Sequence, residues 1–429
     1  MNAYPFELLL APVAKPLAAS VTVPGSKSIT NRALVLAALG DRPKTLLTGA
    51  LQSEDTEVMV ACLNELGFGI EPEWETASIV VYRSKSKVIP SSSAELFVGN
   101  SGTTVRFVTA LAALGHGRYR LDGVPRMRER PIQDLLDALN ALGANAFSEA
   151  GNGCPPVVIQ SEGLKGGTVA IRADLSSQFL SALLMAAPRA DSELLIRVEG
   201  PRVSEPYVEM TLDMLHAWGA EVESLADGYL AKVGFRDSPA EYAIEPDASA
   251  ASYFWAAAAV TGGRVMVLRL TRDSLQGDVA FVDALEKMGC RIEECAEGIA
   301  VQGFSLKGID IDMNAISDTA MTLAAVALFA EGPTTIRNIA HVRHKETDRI
   351  AAVAAELRKL GATVEEFDDG LRIVPGPLKG CSVATYDDHR MAMSLAIVGL
   401  KVPGVKIENP GCVAKTYPGF WQDWARMSE

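Results

Sequence analysis

The feature that most constrains the fold is an amphipathic segment closed by glycine, which recurs five times along the chain. The copies end in LNELG, LNALG, LHAWG, LEKMG and LRKLG, at Gly67, Gly143, Gly219, Gly289 and Gly361. Successive glycines are 76, 76, 70 and 72 residues apart, and a sixth would fall near the end of the 429 residues. Self-similarity at a regular spacing is typical of a repeat architecture. The sequence therefore predicts six repeats of roughly equal length.

Each copy has the pattern of a helix that glycine terminates. In DRIAAVAAELRKLG, apolar residues recur at helical spacing with charged residues between them, which indicates a helix with one buried face. Gly361 then supplies the left-handed residue that ends many helices. The β-prone stretch TVEEF follows directly.

A second series of Ala-rich apolar segments runs in register with the first. These six segments begin at Pro24, Gly99, Leu175, Pro246, Ile316 and Tyr386. Because they are apolar on most faces, they are predicted to be buried helices. Strand-like runs such as PPVVIQ and ELLIRV lie between them. Each repeat should thus contain one buried helix, one half-exposed helix and about four strands.

The composition excludes several classes of function. With 40 Lys and Arg against 53 Asp and Glu, the net charge of −13 argues against a nucleic-acid binder or a membrane-surface protein. The apolar runs from Tyr253 and Leu323 are far shorter than the ~18 residues that span a bilayer. The six cysteines are scattered without metal-ligand spacing. We therefore expect a reduced, cytoplasmic protein without a metal.

Polar and basic residues cluster where the helices are predicted to begin. A helix N-terminus offers free N–H groups and a partial positive charge, so it is a natural anion site. N-capping explains the Ser, Thr, Asp and Asn residues, but a cation there opposes the helix dipole. Seven cations stand close to helix starts: Lys27, Arg32, Arg106, Arg130, Arg349, Arg390 and Lys415. They predict a ligand with more than one anionic group. GNSGTTVR lacks the GK[ST] of a nucleotide P-loop, so ATP is not expected there.

Two acidic residues allow two interpretations each. Asp318, in ISDTAMT, is either the N-cap of a buried helix or a functional carboxylate. Glu346, in HKETDR, either belongs to a solvated run of charges or performs acid–base chemistry between Lys345 and Arg349. The residues alone leave both pairs of alternatives open.

Nine motifs in a fixed order identify a resemblance that covers the chain from about residue 8 to its C-terminus. They are PGSKSITNRALVLAAL, GNSGTTVR, RMRERPI, SSQFLSALLMAAP, VSEPY, SDTAMT, HKETDR, DDHRMAMS and AKTYPGF. Together they closely resemble the 5-enolpyruvylshikimate-3-phosphate (EPSP) synthase family, the 3-phosphoshikimate 1-carboxyvinyltransferases. The resemblance implies an α/β fold, a two-domain inside-out α/β barrel of six βαβαββ repeats, three per domain. It places one domain at 23–245 and the other at 1–22 plus 246–429, with the active site in the cleft between them.

The same resemblance implies an activity. Enzymes of this family transfer the enolpyruvyl group of phosphoenolpyruvate to the 5-hydroxyl of shikimate 3-phosphate and release phosphate, in aromatic amino-acid biosynthesis. Each substrate carries a phosphate and a carboxylate, which accounts for the basic helix starts. The resemblance implies no metal and no organic cofactor. We expect small-molecule substrates as the only partners, without nucleic acid or membrane, and a monomer in the cytoplasm.

The motifs also carry over the family's site residues. For shikimate 3-phosphate they imply Lys27, Ser28, Arg32, Ser176, Ser177, Gln178, Ser204, Tyr207, Asp318, His341 and Lys345. For phosphoenolpyruvate they imply Lys27, Asn100, Gly102, Arg130, Gln178, Arg349, Arg390 and Lys415. In catalysis Asp318 would take the proton of the 5-hydroxyl and Glu346 would give a proton to C3, with Lys27 as a third catalytic residue.

Three positions depart from the commonest family pattern. His341 stands where an asparagine often contacts the shikimate phosphate. Ser101 and Phe107 are changes in the motif around Gly102, where the family's inhibitor glyphosate crowds the phosphoenolpyruvate site. The sequence leaves the response of this protein to glyphosate open.

Two alternative functions share some of these sequence features. The sister enzyme, which transfers enolpyruvyl to UDP-N-acetylglucosamine, typically carries a reactive cysteine before the helix that would start here at Pro131. In this chain the nearest cysteine is Cys154. A non-catalytic protein that binds anionic metabolites would keep the basic clusters but lose Asp318 or Glu346, and both are present.

Overall fold

The structure is a computed structural model that describes residues 4–84 and 87–428. Its α-helices are α1 (Lys27–Leu39), α2 (Glu54–Glu65), α3 (Gly102–Ala112), α4 (Gln133–Ala141), α5 (Ser177–Ala186), α6 (Pro206–Ala217), α7 (Ala248–Thr261), α8 (Phe281–Lys287), α9 (Ala320–Ala327), α10 (Arg349–Leu360), α11 (His389–Gly399) and α12 (Phe420–Ser428).

The strands are short and lie between the helices. They are β1 (Glu7–Leu9), β2 (Ala18–Val21), β3 (Lys44–Thr48), β4 (Gly69–Glu73), β5 (Ser78–Tyr82), β6 (Ser93–Phe97), β7 (His116–Asp122), β8 (Asn145–Ser148), β9 (Val157–Glu162), β10 (Gly167–Arg172), β11 (Leu194–Glu199), β12 (Val222–Leu225), β13 (Gly228–Ala231), β14 (Glu241–Ala243), β15 (Arg264–Leu268), β16 (Arg291–Cys295), β17 (Gly298–Gln302), β18 (Asp310–Asp312), β19 (Thr334–Arg337), β20 (Thr363–Phe367), β21 (Gly370–Val374), β22 (Ser382–Val383) and β23 (Lys406–Glu408).

The two helix series predicted from the sequence alternate along the chain. The odd-numbered helices are the Ala-rich ones, and every residue of α7, α9 and α11 is buried. The even-numbered helices bury one face only. In α10 that face includes Ile350, Val353, Leu357 and Leu360, the residues that recur at helical spacing. Both predicted series are confirmed.

The five glycines that close the repeats all adopt the left-handed conformation. Their φ angles are 91° at Gly67, 95° at Gly143, 74° at Gly219, 111° at Gly289 and 112° at Gly361. A side chain with a Cβ is strained in this region. The predicted role of these glycines in ending the helices is confirmed.

One repeat is built in the order β6–α3–β7–α4–β8–β9. β6 pairs parallel to β7, while β9 pairs antiparallel to both β7 and β8. The resulting sheet order, β6-β7-β9-β8, recurs as β10-β11-β13-β12 and as β18-β19-β21-β20. This is the βαβαββ repeat.

Two further sheets take their first strand from a distant part of the chain. β14 pairs parallel to β3, and β2 pairs parallel to β15, so the sheets have the orders β14-β3-β5-β4 and β2-β15-β17-β16. The chain forms two compact units: a central unit, Gly25–Ile244, and a terminal unit, Met1–Pro24 with Glu245–Glu429. Each unit contains three of the six sheets.

The sixth sheet differs from the expectation of about four strands. Within the described residues it has three, in the order β1-β23-β22. The prediction is wrong here because no hairpin completes this sheet. Instead, β1 from the N-terminal segment lies antiparallel to β23, in the place that β9 takes beside β7.

In each unit the buried helices form the inside and the sheets the outside. α1, α3 and α5 pack on one another in the central unit, and α7, α9 and α11 do so in the terminal unit. Buried and exposed residues alternate along strands such as β3, because one face of each sheet covers the helices. The fold is the predicted two-domain inside-out α/β barrel. Over the described residues, no helix is both long and apolar enough to cross a bilayer.

Gly361→Ala should destabilise the protein more than Gly262→Ala. Both glycines are left-handed, with φ of 112° and 69°, so alanine costs about 1–2 kcal/mol at either position. A Cβ at Gly361 would lie 2.3 Å from the Pro377 carbonyl oxygen, whereas nothing lies within 4 Å of one at Gly262. We expect an additional loss of about 1–3 kcal/mol at Gly361, measured by urea unfolding. Equal losses would show that the left-handed backbone alone requires glycine.

Candidate active site

One arginine of the terminal unit binds three carboxylates. Arg349, the first residue of α10, donates from Nε to Asp388 Oδ2 at 2.8 Å, from Nη2 to Glu346 Oε2 at 2.8 Å and from Nη1 to Asp318 Oδ1 at 3.1 Å. Its side chain is 2% exposed. Burial alone would lower the pKa of Arg349, but the carboxylates of Asp388, Glu346 and Asp318 raise it above its usual value. The arginine therefore remains a cation.

A second arginine extends this cluster to two more helix starts. Arg390 Nη2 donates to Asp318 Oδ2 at 2.7 Å and to Ser249 Oγ, near the start of α7, at 3.4 Å. The Arg390 backbone N–H donates to Asp388 Oδ1 at 2.9 Å, so Asp388 also caps α11. Residues from the starts of α7, α9, α10 and α11 thus meet at one place.

Two lysines lie at the edge of the same cluster. Lys345 Nζ is 3.9 Å from Asp318 Oδ1, and Lys415 Nζ is 3.9 Å from Glu346 Oε1. We call these seven residues the terminal cluster: Asp318, Lys345, Glu346, Arg349, Asp388, Arg390 and Lys415. It contains four cations and three carboxylates within direct ion-pair distance of at least one partner.

The structure excludes one of the two alternatives for each acidic residue. The N-cap position of α9 belongs to Thr319 and not to Asp318, so the interpretation of Asp318 as an N-cap is wrong. The reason is that a 3₁₀ turn, Ser317–Thr319, precedes the α-helix and turns the carboxylate towards the arginines. Glu346 is 8% exposed, so it does not belong to a solvated run of charges.

His341 lies beside this cluster in a buried setting. Its Nε2 is 2.8 Å from Ser317 Oγ, in the turn that carries Asp318. Burial first, and the positive charge of Lys345 second, lower the pKa of His341 to about 3. The imidazole is therefore neutral at physiological pH. In this form it can make hydrogen bonds but cannot act as a cation.

In the central unit, Lys27 opens α1 and pairs with a carboxylate from the next helix. Lys27 Nζ is 3.4 Å from Asp55 Oδ2, and both side chains are largely buried. The Asp55 carbonyl in turn accepts from Thr104 Oγ1 at 3.4 Å. The starts of α1, α2 and α3 are thereby joined.

Arg32 lies inside the central unit and its hydrogen-bond partners there are neutral. Nε donates to Thr211 Oγ1 at 2.7 Å, Nη1 to the Ser28 carbonyl at 3.0 Å and Nη2 to the Tyr207 carbonyl at 3.0 Å. The guanidinium lies over the Phe107 ring, 5.2 Å from its centroid. Burial lowers the pKa of Arg32 to about 10, which still leaves it charged at neutral pH.

Arg130 and Gly102 are in direct contact at the start of α3. Arg130 Nη1 donates to the Asn100 carbonyl at 2.9 Å and lies 3.4 Å from Asn100 Oδ1. Its Nε is buried and finds no hydrogen-bond partner in the described part of the chain. A Cβ at Gly102 would lie 2.4 Å from Arg130 Nη2 and 3.0 Å from Arg106 Nη1. The absence of a side chain at Gly102 is what leaves room for both guanidinium groups.

The remaining predicted residues lie at the starts of α5 and α6 and in the motif around Gly102. Ser176 caps α5 by accepting from the Gln178 backbone N–H at 3.2 Å, and Ser177 is buried. Ser204 adopts a left-handed φ of 52° just before α6. Ser101, one of the departures from the family pattern, caps α3; Phe107, the other, supports Arg32.

Comparison with known proteins identifies the family of this chain. A family model described as EPSP synthase (3-phosphoshikimate 1-carboxyvinyltransferase) matches residues 13–424. The chain belongs to the EPSP synthase family. The 3-phosphoshikimate 1-carboxyvinyltransferase of Nostoc punctiforme is 50% identical, over 97% of this chain and 97% of that protein. The chloroplastic protein of the same name from Solanum lycopersicum is 45% identical, over 99% of this chain and 85% of that protein.

A solved structure matches the EPSP synthase fold of this chain as well. An EPSP synthase from Acinetobacter baumannii aligns with a TM-score of 0.81 at 25% identity, covering 98% of each chain. The family that the order of motifs predicts is thereby confirmed, and with it the class of the protein as an enzyme.

Sequence reasoning missed two acidic residues of these EPSP synthase clusters. Asp388 is the second Asp of the DDHR motif, and only its place before a buried helix signals a cap. Asp55 stands in the first turn of α2, where an acidic residue is unremarkable for any helix. Their partners, Arg349 and Lys27, lie 39 and 28 residues away in the sequence, so no local pattern connects them.

The structure also revises the argument drawn from the basic helix starts. Arg349 and Arg390 do oppose helix dipoles, but carboxylates of the same unit bind them directly. These two arginines therefore do not by themselves require an anionic ligand. Within the described residues, the hydrogen bonds of Arg32 and Arg130 go to neutral groups. These two arginines therefore still predict a bound anion.

The ring of His341 should not titrate between pH 8 and pH 5. In the folded protein its pKa is about 3, whereas an unfolded chain has a histidine pKa of about 6.5. Below pH 6.5 the unfolded chain gains a proton that the folded state excludes, so the free energy of unfolding falls as the pH drops towards 3. His341→Asn should lessen the loss of stability between pH 7 and pH 5 by about 1–2 kcal/mol. Ring NMR shifts and urea unfolding measure both effects; a titration midpoint near 6.5 would contradict them.

Proposed function

We propose that this chain is a 3-phosphoshikimate 1-carboxyvinyltransferase. It transfers the enolpyruvyl group of phosphoenolpyruvate to the 5-hydroxyl of shikimate 3-phosphate and releases phosphate, in the biosynthesis of aromatic amino acids. One observation carries this conclusion: the EPSP synthase family model matches residues 13–424.

In this proposal the arginines of both units hold phosphoenolpyruvate. Arg130 supports the assignment because its buried Nε has no partner among the described residues, which leaves a donor for an anion. Gly102 supports it because only glycine permits the close approach of Arg130 and Arg106. Arg349 and Arg390 can make the planar, two-pronged contacts that suit phosphate and carboxylate groups. Asn100, Gln178, Lys27 and Lys415 complete this set.

Shikimate 3-phosphate is assigned to the other predicted residues. Ser176, Ser177, Gln178 and Ser204 lie at the starts of α5 and α6, where free N–H groups favour a phosphate. Lys27, Ser28, Arg32 and Tyr207 lie at or near the starts of α1 and α6. Asp318, His341 and Lys345, in the terminal unit, complete the assigned set.

The chemistry needs two proton transfers, and two carboxylates are assigned to them. Asp318 takes the proton of the 5-hydroxyl while the hydroxyl oxygen forms a bond to C2 of phosphoenolpyruvate. Glu346 gives a proton to C3. The tetrahedral intermediate then loses the C3 proton and phosphate leaves. A bound anion would compete with Glu346 for Arg349 and Lys415, which makes the protonated form of Glu346 less costly. Lys27, paired with Asp55, is the third catalytic residue, a movable cation at the reacting groups.

Two finer statements belong to the same proposal. We propose that the protein acts as a monomer, because both substrates are small molecules and no partner is needed to complete the assigned set of residues. We propose a cytoplasmic location, because all six cysteines are free thiols and disulfides are rare in reducing compartments.

A coupled assay of phosphate release tests the function directly. With phosphoenolpyruvate present, shikimate 3-phosphate should give turnover and UDP-N-acetylglucosamine should not. Turnover with UDP-N-acetylglucosamine alone would favour the sister enzyme. Tight binding of both substrates without phosphate release would favour a non-catalytic binding protein.

Asp318→Asn and Glu346→Gln should each lower kcat by about 10²–10⁴-fold, because general acid or base catalysis is worth that much. Both substitutions keep the shape of the side chain but remove its capacity to carry the proton. Glu365→Gln, a change at an exposed acid on β20, is the matched control and should keep wild-type kcat. Steady-state kinetics with both substrates decides the matter; near-wild-type kcat in either active-site variant would reject its assigned role.

Gly102→Ala should raise KM for phosphoenolpyruvate about tenfold or more with little loss of stability, because the added Cβ meets the end of a long side chain and not the backbone. This Cβ would lie 2.4 Å from Arg130 Nη2 and displace the guanidinium. KM for shikimate 3-phosphate should change much less. Kinetics and thermal unfolding measured on the same variant separate the two effects. An unchanged KM for phosphoenolpyruvate would show that Arg130 does not bind it.

A further inference from the structure

The loop that leads into α11 has an unusual backbone. Residues 384–388, which we call the Asp388 loop, run from the end of β22 to Asp388. Tyr386 and Asp387, next to each other in this loop, have φ angles of 54° and 55°. Two successive non-glycine residues in the left-handed region cost free energy, so they persist only where the surroundings hold them. Asp388, which follows directly, caps α11 and binds Arg349.

Glu356, in α10, holds this loop from the side. Its Oε1 accepts from the Tyr386 hydroxyl at 2.7 Å, and its Oε2 accepts from the Ala384 backbone N–H at 3.1 Å. Lys359 Nζ donates to both carboxylate oxygens, at 2.8 and 2.9 Å. Glu356 is fully buried, with 0% exposure. A buried carboxylate loses its hydration, and several hydrogen bonds and an ion pair are needed to offset that cost.

These contacts close a ring with the terminal cluster. Glu356 and Arg349 lie on the same helix, two turns apart, and both reach the Asp388 loop. Glu356 binds its first half through Ala384 and Tyr386, and Arg349 binds its end through Asp388. The loop is therefore fixed to α10 at two points, and a shift of its first half changes where Asp388 meets Arg349.

We propose that Glu356, acting through Tyr386 and the Asp388 loop, is a positioning residue for the arginines that bind phosphoenolpyruvate. Asp388 fixes Arg349 through two hydrogen bonds and fixes the backbone of Arg390 through a third. Glu356 itself is not among the residues assigned to either substrate. This inference rests on the proposed function, because it takes Arg349 and Arg390 as ligands of phosphoenolpyruvate.

The Tyr386 hydroxyl remains a hydrogen-bond donor because it stays protonated. Burial raises the pKa of Tyr386 to about 12, and the bond to Glu356 contributes in the same direction. The hydroxyl therefore keeps the proton it donates over the whole working range of the enzyme. On the other side of the loop, Asn409 Nδ2 donates to Asp387 Oδ1 at 3.1 Å, so the left-handed pair is held from both sides.

Two variants test the proposal by steady-state kinetics. Tyr386 and Ala384 donate to different oxygens of Glu356. Glu356→Gln keeps the size of the side chain but replaces one of these oxygens by an NH2 donor, so the two bonds cannot both be kept in this geometry. Tyr386→Phe removes only the hydroxyl of a residue that is 42% exposed, so it should fold normally. We expect each to raise KM for phosphoenolpyruvate about 5- to 30-fold, with KM for shikimate 3-phosphate within about twofold of wild type. Glu365→Gln is again the matched control and should change neither constant.

A role confined to stability would give a different result. If folded Glu356→Gln and Tyr386→Phe keep KM for phosphoenolpyruvate within about twofold of wild type, or raise both KM values equally, the proposal is overturned. Hydrogen exchange at the Ala384 amide gives a readout that does not depend on turnover. It should be faster in Glu356→Gln than in wild type, and unchanged exchange also overturns the proposal. Failure of the proposed function would appear instead as wild-type protein without turnover, while the exchange result would still decide whether Glu356 holds the loop.

Discussion

The site depends on one constraint: several helices begin at the same place, and each brings free N–H groups and part of a positive charge. Arginines and lysines placed there need a counter-charge. The terminal unit supplies it from within, because Asp318, Glu346 and Asp388 bind the guanidinium groups of Arg349 and Arg390. In the central unit, Arg32 and Arg130 hydrogen-bond to neutral groups of the described residues. Lys27 has a counter-charge in Asp55, so in the central unit it is Arg32 and Arg130 that have more need of an anionic ligand than Arg349 and Arg390.

In the terminal unit, binding and chemistry share the same side chains. Asp318 and Glu346 bind the arginines, and the proposed mechanism gives these two carboxylates the proton transfers. An anion that binds Arg349 or Arg390 would therefore compete with a carboxylate to which a proton transfer is assigned. Asp388 is different, since it is fully buried and caps α11, so it can hold Arg349 while the other two carboxylates change partners.

The sequence predicted the parts of the structure that local patterns determine. Helical spacing and the glycine at the end of each repeat are such patterns, and both helix series are confirmed, as is the left-handed Gly361. The pairing of β1 with β23 was not predictable, because it joins segments about 400 residues apart. The same holds for the contacts of Asp388 with Arg349 and of Glu356 with Tyr386. Each of these acidic residues has an ordinary local context, and its role arises only from a contact made across the fold.

The order of strands within the repeat explains why so many helix starts converge. β6 and β7 are parallel, so their carboxyl ends lie at one edge of the sheet, and α3 and α4 both begin after that edge. Arg106, in the first turns of α3, donates to the carbonyl of Pro131, just before α4, at 2.8 Å, as this geometry requires. Each repeat therefore delivers two helix starts to one edge, and the antiparallel hairpin that follows carries the chain to the next repeat. A cluster of helix starts, which favours anions, is thus a consequence of the repeat itself, and the individual side chains would set which anions it prefers.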